Sequence, residues 1–289
     1  MKPSFAIVGC GKVGTALGIF LVRAGYIPAG FASKSLSSAK HLADIVFSDH
    51  FSDTPWHITR SADVVFITTP DSAVEDTCSL IAQNAGFADQ AIVLHCSGAL
   101  ASSVLSSAKT CNAWAGSMHP LQSFASSNYR NNPFKGIIVS VEGDDPAVIV
   151  AKTIAADLEG TAVTLLTEAK TLYHASAVAA SNYLVTLIDL AVQLIQEAGI
   201  HRKDAFNLLK PLIEGTLSNI EKVGVRKALT GPIARGDVKT VKKHMEDIGS
   251  KRPDLLALYK LLGFYTVDIA AETNTVPEST LQELKRITT

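Results

Sequence analysis

An apolar run, Phe5-Ala6-Ile7-Val8, leads without interruption into Gly9-Cys10-Gly11-Lys12-Val13-Gly14, and Ala16, Leu17, Ile19, Phe20 and Leu21 then recur at helical spacing. The pattern predicts a strand, a glycine turn and a helix, in that order. Gly9 permits a tight turn, Gly11 lets a diphosphate approach the backbone, and Gly14 lets the helix pack closely on the strand. The first turn of such a helix carries N–H groups with no partner inside the helix, and these favour an anion. Gly9, Gly11, Lys12, Val13 and Gly14 are therefore the expected holders of a dinucleotide.

A second strand, Ile27 to Phe31, ends at Ala32-Ser33-Lys34-Ser35. Selection of an unphosphorylated ribose calls for an acid about 20 residues beyond the glycines. Two hydroxyls and a cation stand there instead, and the nearest acid is Asp44. Ser33, Lys34 and Ser35 suit a ribose 2′-phosphate, so NADP is expected ahead of NAD.

Further strands are expected over Asp63–Thr68, Ala91–Leu94, Gly136–Val141 and Ala162–Leu165, with helices over Ser72–Ala85 and Pro146–Leu158 and a loop at Gly116–Pro120. Ligands of an open parallel sheet lie beyond the carboxyl ends of its strands, which singles out Thr69, Pro70, His95, Ser97 and Gly98. From Glu168 onward the pattern is helical only. Helices are expected over Glu168–Ala198, with Thr167 as N-cap and Gly199 as stop, then over Lys203–Lys222 with a kink at Pro211, Asp237–Asp247 and Pro253–Ala271. The expected organisation is an α/β dinucleotide-binding domain with a mostly parallel sheet over residues 1–166, followed by an all-α substrate and dimerisation domain over 167–289.

Composition narrows the partners. Lys+Arg at 26 and Asp+Glu at 27 nearly balance, and no basic run carries interleaved aromatics, which argues against nucleic acid. No leader with a charged start is visible. The most apolar stretch, Tyr183–Ile195, is interrupted by Thr186, Asp189 and Gln193, so a cytoplasmic protein without a membrane span is expected. Hydrophobic residues make up 47% of the 289, and the mean hydropathy of +0.23 is high enough to expect a homodimer through the C-terminal helices. Cys10, Cys78, Cys96 and Cys111 lack paired spacing and read as reduced thiols. The histidines show no H-E-x-x-H and no ligand spacing, so no metal is expected.

The long helix opens with Lys170 and, one turn later, His174, which leave the same face. Ala177 and Ser181 continue that face, with Asn182 on its shoulder. A hydride arriving at a carbonyl carbon leaves charge on oxygen, and Lys170 or His174 could supply the proton while Asn182 orients the substrate. Ser97 and His119 are further candidates for the same site. Asp237 reads as an N-cap, and Arg235 beside it as a possible anion ligand from its own or a partner's subunit.

Gly9-Cys10-Gly11-Lys12-Val13-Gly14, Thr69-Pro70-Asp71, His95-Cys96-Ser97-Gly98, Met118-His119-Pro120-Leu121, Lys170 with Tyr173-His174, Ser181-Asn182 and Leu229-Thr230-Gly231-Pro232 with Arg235-Gly236-Asp237 together resemble the predicted short-subunit dehydrogenase-like oxidoreductases. That resemblance implies a Rossmann-like domain joined to a helical C-terminal domain of unknown function. In wider outline the chain is similar to 6-phosphogluconate dehydrogenase, 3-hydroxyisobutyrate dehydrogenase, ketopantoate reductase and pyrroline-5-carboxylate reductase. Several of those use a lysine and, one turn on, an asparagine. Lys170 matches the lysine, His174 stands where the asparagine would be, and Ser97 matches a substrate-contacting serine. The resemblance implies an NADP-dependent dehydrogenase or reductase that transfers a hydride between the nicotinamide and a small carbonyl, hydroxy-acid or imine. The alternatives are an NADP-binding sensor or scaffold without catalysis and a deazaflavin-linked NADP reductase.

Overall fold

The structure is a computed structural model that describes residues 2–124 and 129–289. Its chain divides into two compact units, Met1–Ser181 and Asn182–Thr289. The first contains β1 (Ser4–Val8), α1 (Lys12–Arg23), β2 (Ile27–Ala32), α2 (Leu36–Val46), β3 (Phe51–Ser52), α3 (Trp56–Thr59), β4 (Val64–Ile67) and α4 (Asp71–Gln83). After these come β5 (Ile92–His95), a 3-10 segment (Ser102–Cys111), β6 (Trp114–Pro120), β7 (Ile138–Gly143), α5 (Asp145–Asp157) and β8 (Thr161–Thr164).

One sheet holds all the strands in the order β3-β2-β1-β4-β5-β6-β7-β8. β1 to β6 pair in parallel, β7 runs antiparallel to β6, and β8 is parallel to β7. Every residue of β4 and β5 is buried. Their nearly unbroken apolar sequence is what a parallel strand covered on both faces requires. One cluster, with Ile7, Leu17, Phe31 and Phe66, fills one side of the sheet, and another, with Val65, Ile67, Val74 and Ile81, fills the other. Strand order reverses beside β1, where β1 lies between β2 and β4, and the glycine turn sits at that reversal.

Gly116–Pro120, expected as a loop, is the body of β6. Glycine, serine, histidine and proline are poor strand formers, but this segment pairs with β5 on one side and β7 on the other, and such tertiary pairing overrides local preference.

α6 (Lys170–Glu197) crosses the division between the units, and α7 (Arg202–Val223), α8 (Val238–Lys251), α9 (Pro253–Ala271) and α10 (Glu278–Thr288) complete the second. The expected N-cap Thr167 lies in a 3-10 turn before α6, and its hydroxyl donates to Glu142 Oε2 at 3.0 Å. Asp237 does cap α8, accepting from the Thr240 N–H at 3.1 Å and its hydroxyl at 2.7 Å. Val241, Val267, Ala270, Leu281 and Leu284 form the second unit's core.

Much apolar surface of the helical unit lies outside that core: Val185 on α6 is 67% exposed, Leu212 on α7 69% and Tyr265 on α9 62%. The 31 residues Thr167–Glu197 reach a mean hydropathy of 1.6 over an 18-residue window, so by length and composition this helix could cross a membrane. Its first turn, however, buries Lys170 within the α/β unit.

Candidate functional site

The turn after β1 carries the features needed to receive a diphosphate. Gly9 has φ +105°, and a Cβ there would lie 2.7 Å from the backbone of Thr68 and Thr69. At Gly14 a Cβ would overlap the Gly9 carbonyl oxygen and lie 2.5 Å from Thr68 Oγ1. The Thr68 hydroxyl donates to that same carbonyl at 2.6 Å, locking the end of β4 to the turn. Gly11 is the N-cap of α1, has no side chain to cap the helix, and no acid follows in the first turn. The helix dipole and the N–H groups of this first turn thus favour an anion.

This turn opens onto a cleft of about 1010 Å³. Gly9, Gly11, Lys12, Val13, Ser33, Lys34, Thr69 and Pro70 line it, as expected from the sequence. Gly14 lies beneath the turn. Ser35 is absent from the lining, because it begins α2 and its hydroxyl pairs with Ser37 Oγ at 2.8 Å. Residues that the sequence did not suggest include Ser38, Asp53, Thr77, Gln122 and Phe124. Asp53 follows β3, a two-residue strand too short to leave a periodic signal. Thr69 Oγ1 is buried without a hydrogen-bond partner among the described residues.

A second polar group gathers at the ends of β5 and β6. Lys170 is 1% exposed, and its ammonium donates to Ser97 O at 2.9 Å and Ser117 Oγ at 2.7 Å. Burial pulls its pKa below the ordinary lysine value, opposed in turn by Glu142, Cys96 and Asp71. Glu142 is itself buried, accepting from Ser102 N (2.9 Å), Ser102 Oγ (2.8 Å) and Thr167 Oγ1. The Ser97 hydroxyl donates to Asp71 at 2.8 Å and accepts from the N–H groups of Ala99 and Leu100. Its proton is therefore committed to a neighbour, and what Ser97 offers Lys170 is its carbonyl.

His119 and His174 meet over Gly98. A Cβ on Gly98 would lie 2.6 Å from His174 Nδ1 and 2.8 Å from His119 Nε2. The other nitrogen of His119 is 3.1 Å from the Tyr173 hydroxyl. His174 Nδ1 is buried with no partner among the described residues. Desolvation, with Lys170 second, pushes both His119 and His95 down to about 4, so both rings are neutral at physiological pH. Cys10 and Cys96 are pushed up to about 12 by burial, which leaves neither as a thiolate near neutrality.

The fold thus brings Lys170, His174, Ser97 and His119 together, as their sequence positions suggested. Asn182 is not brought to them: it is exposed and lies roughly 18 Å from Lys170 and roughly 12 Å from His174 along α6 at 1.5 Å per residue. Ser117, Glu142, Asp71 and the Tyr173–His119 contact were not readable in advance, because each depends on pairing across the fold. Among the described residues no group of three His, Cys, Asp or Glu is placed to hold a metal ion.

Comparison with known proteins agrees with this architecture. Residues 2–120 match the family described as Rossmann-like domain, and residues 137–266 match the domain of unknown function DUF2520. The chain carries both. The second match begins at residue 137 and so takes in β7, α5 and β8 as well as helices.

A Bacteroides fragilis protein designated an NADP oxidoreductase has 23% identity and a TM-score of 0.74, over 90% of this chain and 96% of that one. A Thermotoga maritima protein has 25% identity and a TM-score of 0.72, over 93% and 99%. Plasmodium falciparum pyrroline carboxylate reductase, solved with NADP bound, has 13% identity and a TM-score of 0.57, over 99% and 98%. These likenesses are likenesses of fold. A sequence search of curated proteins finds no match.

Proposed function

We propose that this protein is an NADP-dependent oxidoreductase that moves a hydride between the nicotinamide and a small carbonyl, hydroxy-acid or imine substrate. The observation that carries the reading is the uncapped, acid-free start of α1 opening onto the cleft through a glycine turn too crowded for any side chain at Gly9 or Gly14. The residues present fit the cofactor. The turn would take the diphosphate, Ser33 and Lys34 the 2′-phosphate, and the Thr69 hydroxyl, which has no partner among the described residues, a polar group of the bound nucleotide. The neighbours designated as NADP proteins support the same choice. When bound, NADPH supplies the hydride. Lys170, His174, Ser97 and His119 form the polar group proposed to meet the substrate, with Lys170 fixing a buried positive charge there.

Calorimetry with NADPH, NADP and NADH tests the cofactor, and absorbance at the nicotinamide band with a panel of keto acids and imines tests the reaction. Lys34→Ala should weaken NADPH about tenfold, a lost charge-assisted contact at an exposed position, and leave NADH unchanged. Equal loss for both nucleotides would remove Lys34 from the 2′-phosphate, and no nucleotide binding at millimolar concentration would sink the enzyme reading.

The same reading includes a cytoplasmic homodimer through the C-terminal helices. The exposed apolar residues of α6, α7 and α9 support it, since large apolar side chains left in water in such number are commonly covered by a partner. Sedimentation should return twice the 30.6 kDa chain mass; a monomer at micromolar concentration would refute this assembly.

A further inference from the structure

Part of the cleft wall is built where β2 and β3 stop. Ala32 stands opposite Ser52 in that parallel pair, and Ser33 N donates to Ser52 O at 3.2 Å, so the segments that begin Ser33-Lys34 and Asp53-Thr54 leave the sheet level with each other. Neighbouring strands lie about 4.8 Å apart. Lys34 and Asp53 both line the cleft, and both are exposed. Asp53 is the one acid among the described residues that line it.

Opposite charges on adjacent strand ends can pair, yet these two do not. Asp53 Oδ1 accepts from Thr54 Oγ1 at 3.1 Å, and Ser52 Oγ accepts from Thr54 N at 2.9 Å, which holds the same turn. Asp53 Oδ2 has no partner among the described residues, and Lys34 forms no ion pair among them. Cation and carboxylate thus both remain open to a ligand. The acid that an unphosphorylated ribose calls for is missing from the end of β2 but present at the end of the neighbouring strand.

We propose that Asp53 opposes Lys34 in selecting the cofactor: its carboxylate takes the hydroxyls of the adenosine ribose and repels a 2′-phosphate, so that NADPH and NADH both bind and the preference between them is the balance of these two side chains. The inference rests on the NADP-dependent reading above. The chemistry of the two riboses is what separates the two residues. A ribose without phosphate offers two adjacent O–H donors, which match the two oxygens of a carboxylate, and it gives Lys34 no anion. A 2′-phosphate replaces one of those donors with nearly two negative charges. Lys34, with the cleft-lining hydroxyls of Ser33 and Ser38, keeps NADPH ahead, and Asp53 keeps NADH within reach.

Calorimetric titration of the full chain with NADPH and NADH tests it without any substrate. Asp53→Asn, which keeps the shape and removes the charge, should tighten NADPH about fivefold, the size of a charge repulsion at this spacing in salt-screened water. The same variant should weaken NADH about fivefold, because a charge-assisted hydrogen bond becomes a neutral one. The preference for NADPH then rises about 25-fold, whereas Lys34→Ala should move it the other way. The fragments 2′,5′-ADP and 5′-AMP, which lack the nicotinamide half, should reproduce both changes and so place them at the ribose.

A preference in Asp53→Asn within about threefold of the wild type's overturns the proposal. Equal loss of both nucleotides overturns it too, since Asp53 would then serve the base. Asp53 lies outside helix and strand, so the urea midpoint should not move, and Asp53→Ser, a second neutral replacement, should shift the preference in the same direction. If neither nucleotide binds the wild type at millimolar concentration, the oxidoreductase reading fails and this inference with it. Nucleotides that bind in a ratio indifferent to Asp53 sink this inference alone.

Discussion

Gly14→Ala is expected to destabilise the α/β unit by at least about 3 kcal/mol, the upper range for overpacking a tight site, and to abolish nucleotide binding with it. The added methyl would overlap the Gly9 carbonyl and press on Thr68 Oγ1 at 2.5 Å. The first obstacle is backbone and the second is hydrogen-bonded to that backbone, so neither can swing aside as a flexible side chain would. Relief would require α1 to move away from β1, opening the packing of Ala16, Leu17 and Leu21. Gly11→Ala is the matching control. Nothing lies within 4 Å of a Cβ there, so urea unfolding should match the wild type while NADPH affinity falls at least about tenfold, the methyl standing where the ligand must approach. A Gly14→Ala protein with an unaltered urea midpoint would show that the turn tolerates what its geometry forbids.

Acid should unfold this protein from the site outward. Free histidine titrates near 6.5, but His95 and His119 titrate at about 4 in the folded chain, chiefly because burial penalises their charged forms. Between those values the unfolded chain binds protons that the folded chain refuses, so stability is complete above pH 6.5 and declines as pH falls towards 4. At 1.36 kcal/mol per pH unit, each histidine removes about 2 kcal/mol by pH 5 and about 3 by pH 4. Lys170 acts in the same sense at the alkaline end: its folded value is lowered, so the penalty on its charge is relieved as pH climbs towards the ordinary lysine value of 10.5. Urea midpoints at pH 7 and pH 5 should therefore differ clearly, and His119→Asn should reduce the difference by about half. A pH-independent midpoint across that interval would mean that both rings take up protons in the folded chain as readily as in the unfolded one.

Local pattern made much of this legible. The glycine turn, β1, β4 and β5 announce themselves through short apolar runs, and the predicted bounds of α9, Pro253–Ala271, coincide with the observed helix because proline opens it and its apolar residues recur. Lys170 and His174 were visible as a pair for the same reason, being one turn apart on one helix. What escaped depends on contacts between distant parts of the chain. Ser117 was hidden in a segment without strand character, and Glu142 looked like any acid at the end of a strand until β6 and β7 paired. Asp53 reached the cleft only through β3. Asn182 misled because helical periodicity reports which side a residue faces but not how far along the axis it lies. α10 went unread because its two buried leucines, Leu281 and Leu284, are too few to set a period.

The antiparallel pairing of β6 and β7 has one further consequence. Ser117 and Glu142 stand directly opposite each other in that ladder, so their side chains share a face, the one against which Lys170 is buried. Strand geometry repeats every two residues. Sliding β7 by one position would set Val141 or Gly143 across from Ser117 and turn the carboxylate to the sheet's other surface, taking from Lys170 the first of the acidic groups that favour its charge and leaving it Asp71. The sheet's phase therefore serves as an assembly check: only a correctly zipped edge offers the electrostatic welcome that lets the opening turn of the long helix settle.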